Sequence, residues 1–273
     1  MEPVQAIILG LIQGLTEFLP VSSSGHLVLF QHLFGLKESA LFFDVSVHMG
    51  TLIAVVIFFR KDIISIIVSL IRFIGQLSGH EKSFRHIHDD HDLKMAMLII
   101  AGSVPTAIIG LLFKEMADRI FSSVLLVGCM LLLTGCFLWS TRWLKQEGND
   151  ISGFSIKNAF IIGIIQGLAI LPGISRSGST IVAGLFLNLN RETAARYSFL
   201  LSIPAIAGAE ILSLKDLGHG ASFDMNVLMG SVTACIVGYC ALAMLVYIVR
   251  KGQMYLFSPY CWLVGIIALA IGW

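Results

Sequence analysis

The chain has 273 residues, 56% of them hydrophobic and only 13% charged, with a mean hydropathy of +0.88. Soluble domains carry about 25% charged residues, so this composition excludes one and indicates a polytopic integral membrane protein. A net charge of +1 gives no basic surface for nucleic acid. The five cysteines all lie in apolar stretches without metal-ligand spacing, which makes them core or lipid-facing residues rather than disulfide partners. Glu2 and the lack of a basic residue before the first apolar run make a poor signal-peptide start, so no cleavage is expected.

A membrane-crossing helix needs about 20 apolar residues. In chain order, residues 4–19 are apolar but stop at Pro20 and resume from Leu27 to Leu36. The first full span runs from Ala40 to Phe59, and 63–77 is expected to continue it along the membrane interface. A polar loop, about 78–92, holds His80, His86, His88 and His91 with Asp89, Asp90 and Asp92; it is taken as a solvated turn rather than a metal site. Spans follow at Leu93 to Phe113 and Ile120 to Trp143. Residues 156–171 then stop at Pro172 and resume from Ser179 to Leu189. The last three spans are Ala194 to Leu214, Asn226 to Val249 and Tyr255 to Trp273. The fold class expected is therefore an all-α integral membrane protein with six transmembrane helices and two re-entrant helical hairpins, since each broken segment is too short to cross.

The two broken segments are copies of one another. Ile8 to His26 reads ILGLIQGLTEFLPVSSSGH, and Ile161 to Thr180 reads IIGIIQGLAILPGISRSGST. Gly10, Gln13, Gly14 and Leu15 precede Gly163, Gln166, Gly167 and Leu168 by 153 residues, and Ser22, Ser24 and Gly25 precede Ser175, Ser177 and Gly178 by the same interval. A weaker echo pairs Ser103-Val104-Pro105 with Ser202-Ile203-Pro204. With the polar loop inside the cell, 13 basic residues fall on inner segments and 4 on outer ones, leaving Arg176 in the second break. Both termini then lie outside and the hairpins enter from opposite faces. This divides a single membrane domain into inverted repeats of about 1–143 and 154–273. Duplicated broken helices of this kind point to a binding site where the repeats meet.

Ionisable groups at bilayer depth cost about 2.5–3.5 kcal/mol on insertion scales and are functional hypotheses by default. Gln13 and Glu17 share a helical face before the first break. Ser22, Ser23, Ser24, Gly25 and His26 follow it, and Ser175, Arg176, Ser177, Gly178, Ser179 and Thr180 follow the second. Serine-rich turns that open helices offer hydroxyls, free N–H groups and a partial positive charge, which is an anion site. Arg176 adds a guanidinium that forks onto phosphate oxygens. Convergence of the two tips would suit a phosphate or diphosphate. Competing bland readings make the serines and Gln13 and Gln166 interhelical bonds, and Arg176 a counter-ion for Glu17. Asp44 and His48 share a face of the next helix and could line the pocket or cap a hydrogen-bond network, and Glu210 and His32 are weaker cases; a structural role is favoured for all four.

The motifs QGLTEFLPVSSSGH and LPGISRSGST resemble those of the bacterial undecaprenyl-pyrophosphate phosphatases of the bacitracin-resistance type. The likeness extends to FDVSVHMGTLIAV, Phe43 to Val55, and SFLLSIPAIAGA, Ser198 to Ala209. It implies an enzyme of the bacterial inner membrane that removes the terminal phosphate of undecaprenyl pyrophosphate, a hydrolase of phosphoric anhydrides that recycles the wall-polymer lipid carrier. It also implies a site facing the periplasm or exterior and a divalent cation, Mg2+ or Ca2+. Glu17, Ser23, His26, Ser175, Arg176 and Thr180 match the family's functional positions. The family has Glu or Gln where this chain has Gln13, so the metal expectation rests on Glu17.

In the expected chemistry Ser23 attacks phosphorus, His26 serves as its base or as acid for the leaving group, and Arg176 stabilises the phosphoryl charge. Glu17 orients His26 or holds the cation. Gln13, Ser22, Ser24, Gly25, Ser175, Ser177, Gly178 and Thr180 line the substrate site. His26 as nucleophile is the rival. A transporter or flippase of the carrier lipid is the alternative function, because inverted repeats recur in transporters. The partner is a lipid in the bilayer, and the sequence leaves room for a homodimer.

Overall fold

A computed structural model describes residues 2–34, 41–78, 90–114, 120, 123–144, 148–216 and 224–272. The described residues form helices joined by turns, with one isolated bridge between Asn149 and Leu189. The helices are α1 (Pro3–Phe18), α2 (Ser23–Leu33), α3 (Leu41–Phe58), α4 (Arg60–Ser78), α5 (His91–Phe113), α6 (Val124–Ser140), α7 (Ile156–Leu168), α8 (Arg176–Phe186), α9 (Arg191–Asp216), α10 (Met225–Lys251) and α11 (Ser258–Gly272).

Among the described residues, five segments are long and apolar enough to cross a membrane: α5, α6 with the turn after it, α9, α10, and Met254–Gly272. They match the last five expected spans. The first expected span, α3, is apolar but shorter, and residues 35–40 before it lie outside the described residues. Broad apolar surface is exposed on the outer helices, including Ile108, Leu112, Ile236, Leu263 and Ile266, as a lipid-facing protein requires. Helix ends follow ordinary rules. Glu2 and Gln5 form a capping box before Pro3, and α10 carries Arg250 and Lys251 in its last turn before left-handed Gly252.

The expected interfacial segment is a separate helix, α4, whose stripe Ile64, Ile67, Val68, Ile71 and Ile74 is exposed. Its polar side is tied to α5 and α9. Asp62 pairs with Arg196 at 2.5 Å, Arg196 also reaches Asp92 at 3.3 Å, and Ser65 donates to Asp92. Asp90 caps α5 by accepting from the Asp92 and Leu93 N–H groups, both at 3.0 Å. These two aspartates of the polar loop are therefore structural; residues 79–89 lie outside the described residues.

Packing follows a cross-over pattern. α1 lies along α10, and α7 lies along α5. Both contacts are glycine on glycine: Gly10 backs onto the Gly230 carbonyl, and Gly163 onto the Gly102 carbonyl. Such close approach is the usual way apolar helices associate in lipid. α3 packs on α9 and α10, α9 on α5, and α6 on α11. α5 therefore stands to α7 as α10 stands to α1. The pairing of Ser103-Val104-Pro105 with Ser202-Ile203-Pro204 needs correcting: by position and by sequence, Gly102-Ser103-Val104 corresponds to Gly230-Ser231-Val232.

Candidate active site

The two breaks are locked together at the centre of the molecule. Ser22 and Ser175 are the N-caps of α2 and α8, and their hydroxyls accept the Gly25 N–H at 3.3 Å and the Gly178 N–H at 3.1 Å. Ser22 Oγ also accepts the Gly173 N–H at 3.0 Å, and Ser177 donates to the Phe18 carbonyl at 2.9 Å. Each turn thus closes the other's backbone. A Cβ on Gly25 would come 3.1 Å from Gly173 Cα, and one on Gly178 would come 3.1 Å from Pro20 Cβ, so side chains at either glycine would wedge the breaks apart. Ser22 has φ 70° and Gly173 φ 99°. For Ser22 that left-handed backbone costs about 1–3 kcal/mol and persists because the bond to Gly173 over-determines it. From α6, Thr134 donates to the Gly173 carbonyl at 2.8 Å and accepts the Ser175 N–H at 3.1 Å.

Glu17 is the hub of the site. It is buried, with 7% of its surface exposed, so its charge must be met by partners. The Ser23 hydroxyl donates to Oε2 at 2.6 Å and Gln13 Nε2 to the same oxygen at 3.0 Å. Arg176 Nη2 donates to Oε1, and His48 Nε2 lies 3.8 Å from Oε2. Among the described residues, two buried atoms here find no hydrogen-bond partner: Arg176 Nη1 and Gln13 Oε1. An unpaired guanidinium nitrogen costs several kcal/mol when buried. It has the charge and geometry to take an anionic oxygen.

His26 is buried beside this cluster, and both of its ring nitrogens are engaged by other groups than Ser23. Its Nδ1 meets the Ser22 carbonyl at 2.8 Å and its Nε2 the Tyr260 hydroxyl at 2.8 Å. The expected Ser23–His26 partnership is thus replaced: Ser23 is bonded to Glu17, and Glu17 orients Ser23 rather than His26. Ser22, Ser24, Gly25, Ser175, Ser177 and Gly178 form the walls of the breaks. Thr180 is turned towards α9, bonding Ser198 at 2.5 Å and the Arg176 carbonyl at 2.8 Å. Gln166 is interhelical glue, reaching Thr106 and the Leu201 carbonyl at 3.3 Å each, whereas Gln13 belongs to the site.

Two residues of the site are not evident from the sequence, and a third stands there against the favoured reading. His48 carries the expectation of a structural role, yet its Nε2 lies 3.8 Å from Glu17 Oε2; its one signal is an ionisable group at membrane depth. Tyr260 and Thr134 give no signal, because their roles arise from contacts across 234 and 39 residues.

A divalent cation would find one carboxylate, Glu17, and the unpartnered oxygen of Gln13. No cluster of three His, Cys, Asp or Glu side chains is arranged to hold a metal among the described residues. That donor set fits a hard cation drawing most ligands from phosphate and water, as Mg2+ usually does.

Residues 6–267 match the family model described as bacitracin resistance protein BacA. A protein named undecaprenyl-diphosphatase from Desulfosudis oleivorans is 59% identical over 100% of this chain and 99% of its own length. A namesake from Desulforapulum autotrophicum is 55% identical over the same shares. One from the more distant Methanosphaera stadtmanae is 43% identical over 99% of this chain and 98% of its own. With a family model spanning both breaks and relatives this similar over their full length, the chain belongs to the BacA bacitracin-resistance family.

Proposed function

We propose that this protein is an undecaprenyl-diphosphatase: it hydrolyses undecaprenyl pyrophosphate to undecaprenyl phosphate and inorganic phosphate, recycling the carrier lipid and lowering sensitivity to bacitracin. One observation carries the reading. A single buried carboxylate, Glu17, holds a serine hydroxyl on one oxygen and an arginine on the other, and that arginine keeps a buried, unpartnered nitrogen. A helix-packing protein has no use for that trio, and a carrier that only moves its lipid needs no hydroxyl poised on a base.

The chemistry follows from these contacts. The diphosphate docks at the N-terminal ends of α2 and α8, with its oxygens on Arg176 Nη1 and helix-terminal N–H groups. Glu17 takes the Ser23 proton as Ser23 Oγ attacks the terminal phosphorus, and the bond to the bridging oxygen breaks, releasing undecaprenyl phosphate. Arg176 stabilises the charge on the equatorial oxygens. Water then hydrolyses the phosphoserine and the proton returns to Ser23; His26 serves the leaving or attacking oxygen. A bound divalent cation, held by Glu17 and Gln13 Oε1, would neutralise diphosphate charge.

The architecture we infer is an inverted pair of repeats with both breaks re-entrant, the site open to the outer face of a bacterial cytoplasmic membrane and both termini outside. The exchanged packing of α1 on α10 and α7 on α5 supports the repeat, and the excess of basic residues on the inner segments supports the orientation. Phosphate release from undecaprenyl pyrophosphate by purified protein in detergent tests the function. Release that Arg176→Ala, Ser23→Ala and a chelator each abolish is expected. A folded, lipid-binding wild type that releases none would sink the reading and favour lipid transport.

A further inference from the structure

The hydroxyl of Tyr260 and the ring of His26 come from opposite ends of the chain, yet they are joined as closely as His26 is joined to its own break. The Tyr260 hydroxyl lies 2.8 Å from His26 Nε2, and the two rings are parallel within 4°, with centroids 5.7 Å apart. On its other side His26 Nδ1 lies 2.8 Å from the Ser22 carbonyl. A carbonyl oxygen can only accept, so Nδ1 carries the proton. In the neutral ring Nε2 then holds the lone pair, and the phenol donates to it. The backbone of one break and the side chain of α11 thereby fix both the tautomer and the plane of the imidazole. Ser22, which supplies that carbonyl, is the residue held at φ 70° by its bond to Gly173. The orientation of His26 is built into the junction of the two breaks.

We propose that Tyr260 is a positioning residue for the reaction: it holds His26 in the Nδ1–H tautomer with Nε2 as the acceptor, and it covers that nitrogen between turnovers. The inference rests on the phosphatase reading for its catalytic meaning, though the geometry stands without it. Tyr260 suits the task because it is half in and half out of the protein, at 44% exposure, while His26 is 3% exposed. The phenol ring packs beside a buried imidazole while its other side is exposed, so the ring lies at the edge of the core rather than inside it. The pair also ties α11 to the start of α2, and the neighbouring residue repeats the tie, since the Cys261 thiol donates to the Pro20 carbonyl at 3.7 Å.

The test separates the ring from the hydroxyl. Tyr260→Phe keeps the packed ring and removes the donor. Full-length wild type, Tyr260→Phe and the control Tyr255→Phe are compared in detergent by two readouts. One is modification of His26 by diethyl pyrocarbonate, resolved by peptide mass spectrometry. The other is kcat and KM for undecaprenyl pyrophosphate. In Tyr260→Phe, carbethoxylation of His26 should be several-fold faster because the Nε2 lone pair is no longer held in a hydrogen bond, and kcat should fall about tenfold with KM within about twofold. Tyr255→Phe should change neither. Unchanged labelling overturns the proposal, and so does an unchanged kcat. A KM rise at constant kcat would make Tyr260 a substrate contact and also overturns it. Because labelling needs no turnover, a wild type without phosphatase activity would defeat the proposed function while leaving the Tyr260–His26 geometry to be judged on labelling alone.

Discussion

Ser23 and Arg176, 153 residues apart, open equivalent helices after equivalent breaks, and each holds a different oxygen of Glu17. The scaffold is duplicated but the chemistry is not. The caps Ser22 and Ser175 and the glycines at 25 and 178 do the same work in both copies. At matched positions, however, the first copy has Glu17, Ser23 and His26 where the second has Ile170, Arg176 and Ser179. Divergence at three positions brings a carboxylate, a hydroxyl and a guanidinium together where the two turns meet.

Ser23 is the group whose loss should be most selective. Ser23→Ala removes a half-buried hydroxyl and one hydrogen bond to Glu17, whose carboxylate keeps Arg176 and Gln13, so folding is expected to be preserved. The expected kcat loss is at least about a thousandfold, with lipid binding retained. Acid quenching of wild type with substrate labelled in its terminal phosphate should give phosphoserine on the peptide containing Ser23. Label recovered on His26 would make the histidine the nucleophile.

Arg176→Lys tests whether charge alone suffices. Lysine can still balance Glu17, but as a point charge it cannot hold Glu17 and a phosphoryl oxygen at once. We expect kcat/KM to fall about 10²–10³-fold, near the loss in Arg176→Ala, while thermal stability in detergent stays closer to wild type. Near-normal activity in the lysine variant would show that Nη1 carries no phosphoryl contact. Arg176→Ala should additionally destabilise the fold by about 3–5 kcal/mol, since it strands the buried carboxylate.

Much of this is legible in the amino-acid sequence, for reasons of local physics. Apolar runs of the length of α5, α6, α9 and α10 can be little else than spans, and Pro20 and Pro172 mark breaks because proline cannot continue a hydrogen-bonded ladder. Repeat identity places Glu17, Ser23 and Arg176 in one site, because a shared scaffold implies that the breaks meet. Partners are harder to read. His26 lies three residues from Ser23, a spacing that suggests a pair, but at Ser22 the backbone turns left-handed and the imidazole leaves towards α11. His48 looks structural in the sequence because its helix carries no break, and only the packing of α3 inside the bundle turns it to Glu17. The weak echo in α5 points to α9 through a shared proline, whereas the glycine contacts, which set helix spacing, identify α10.

Gln13→Glu addresses the cation. Gln13 now gives Glu17 a hydrogen bond at 3.0 Å and turns an unpartnered oxygen into the site. A carboxylate there would repel Glu17 but offer a hard cation a second charged ligand. The half-saturating concentration of Mg2+ for phosphate release should drop about tenfold, with chelator abolishing release in the variant as in wild type. No change in the cation titration would remove residue 13 from the cation's surroundings.

The glycine crossings should be as intolerant in one repeat as in the other. A methyl at Gly10 would meet the backbone carbonyl of Gly230, and one at Gly163 that of Gly102, neither of which can rotate away. Gly10→Ala and Gly163→Ala must therefore part α1 from α10 and α7 from α5, at a cost of about 1–3 kcal/mol each. Gly110, on the same α5, has nothing within 4 Å of an added Cβ. Gly110→Ala should leave stability unchanged or raise it slightly, as alanine favours helix. Thermal unfolding in one detergent ranks the three variants. Matched losses at residues 10 and 163 beside a silent residue 110 are expected if the two crossings are equivalent parts of a repeat. A large loss at only one crossing would mean that the glycines are alike in sequence but not in load. Because Glu17 and the breaks sit at the ends of α1 and α7, the same two variants should also lower kcat/KM by displacing Ser23 from Arg176, a coupling that Gly110→Ala should not show.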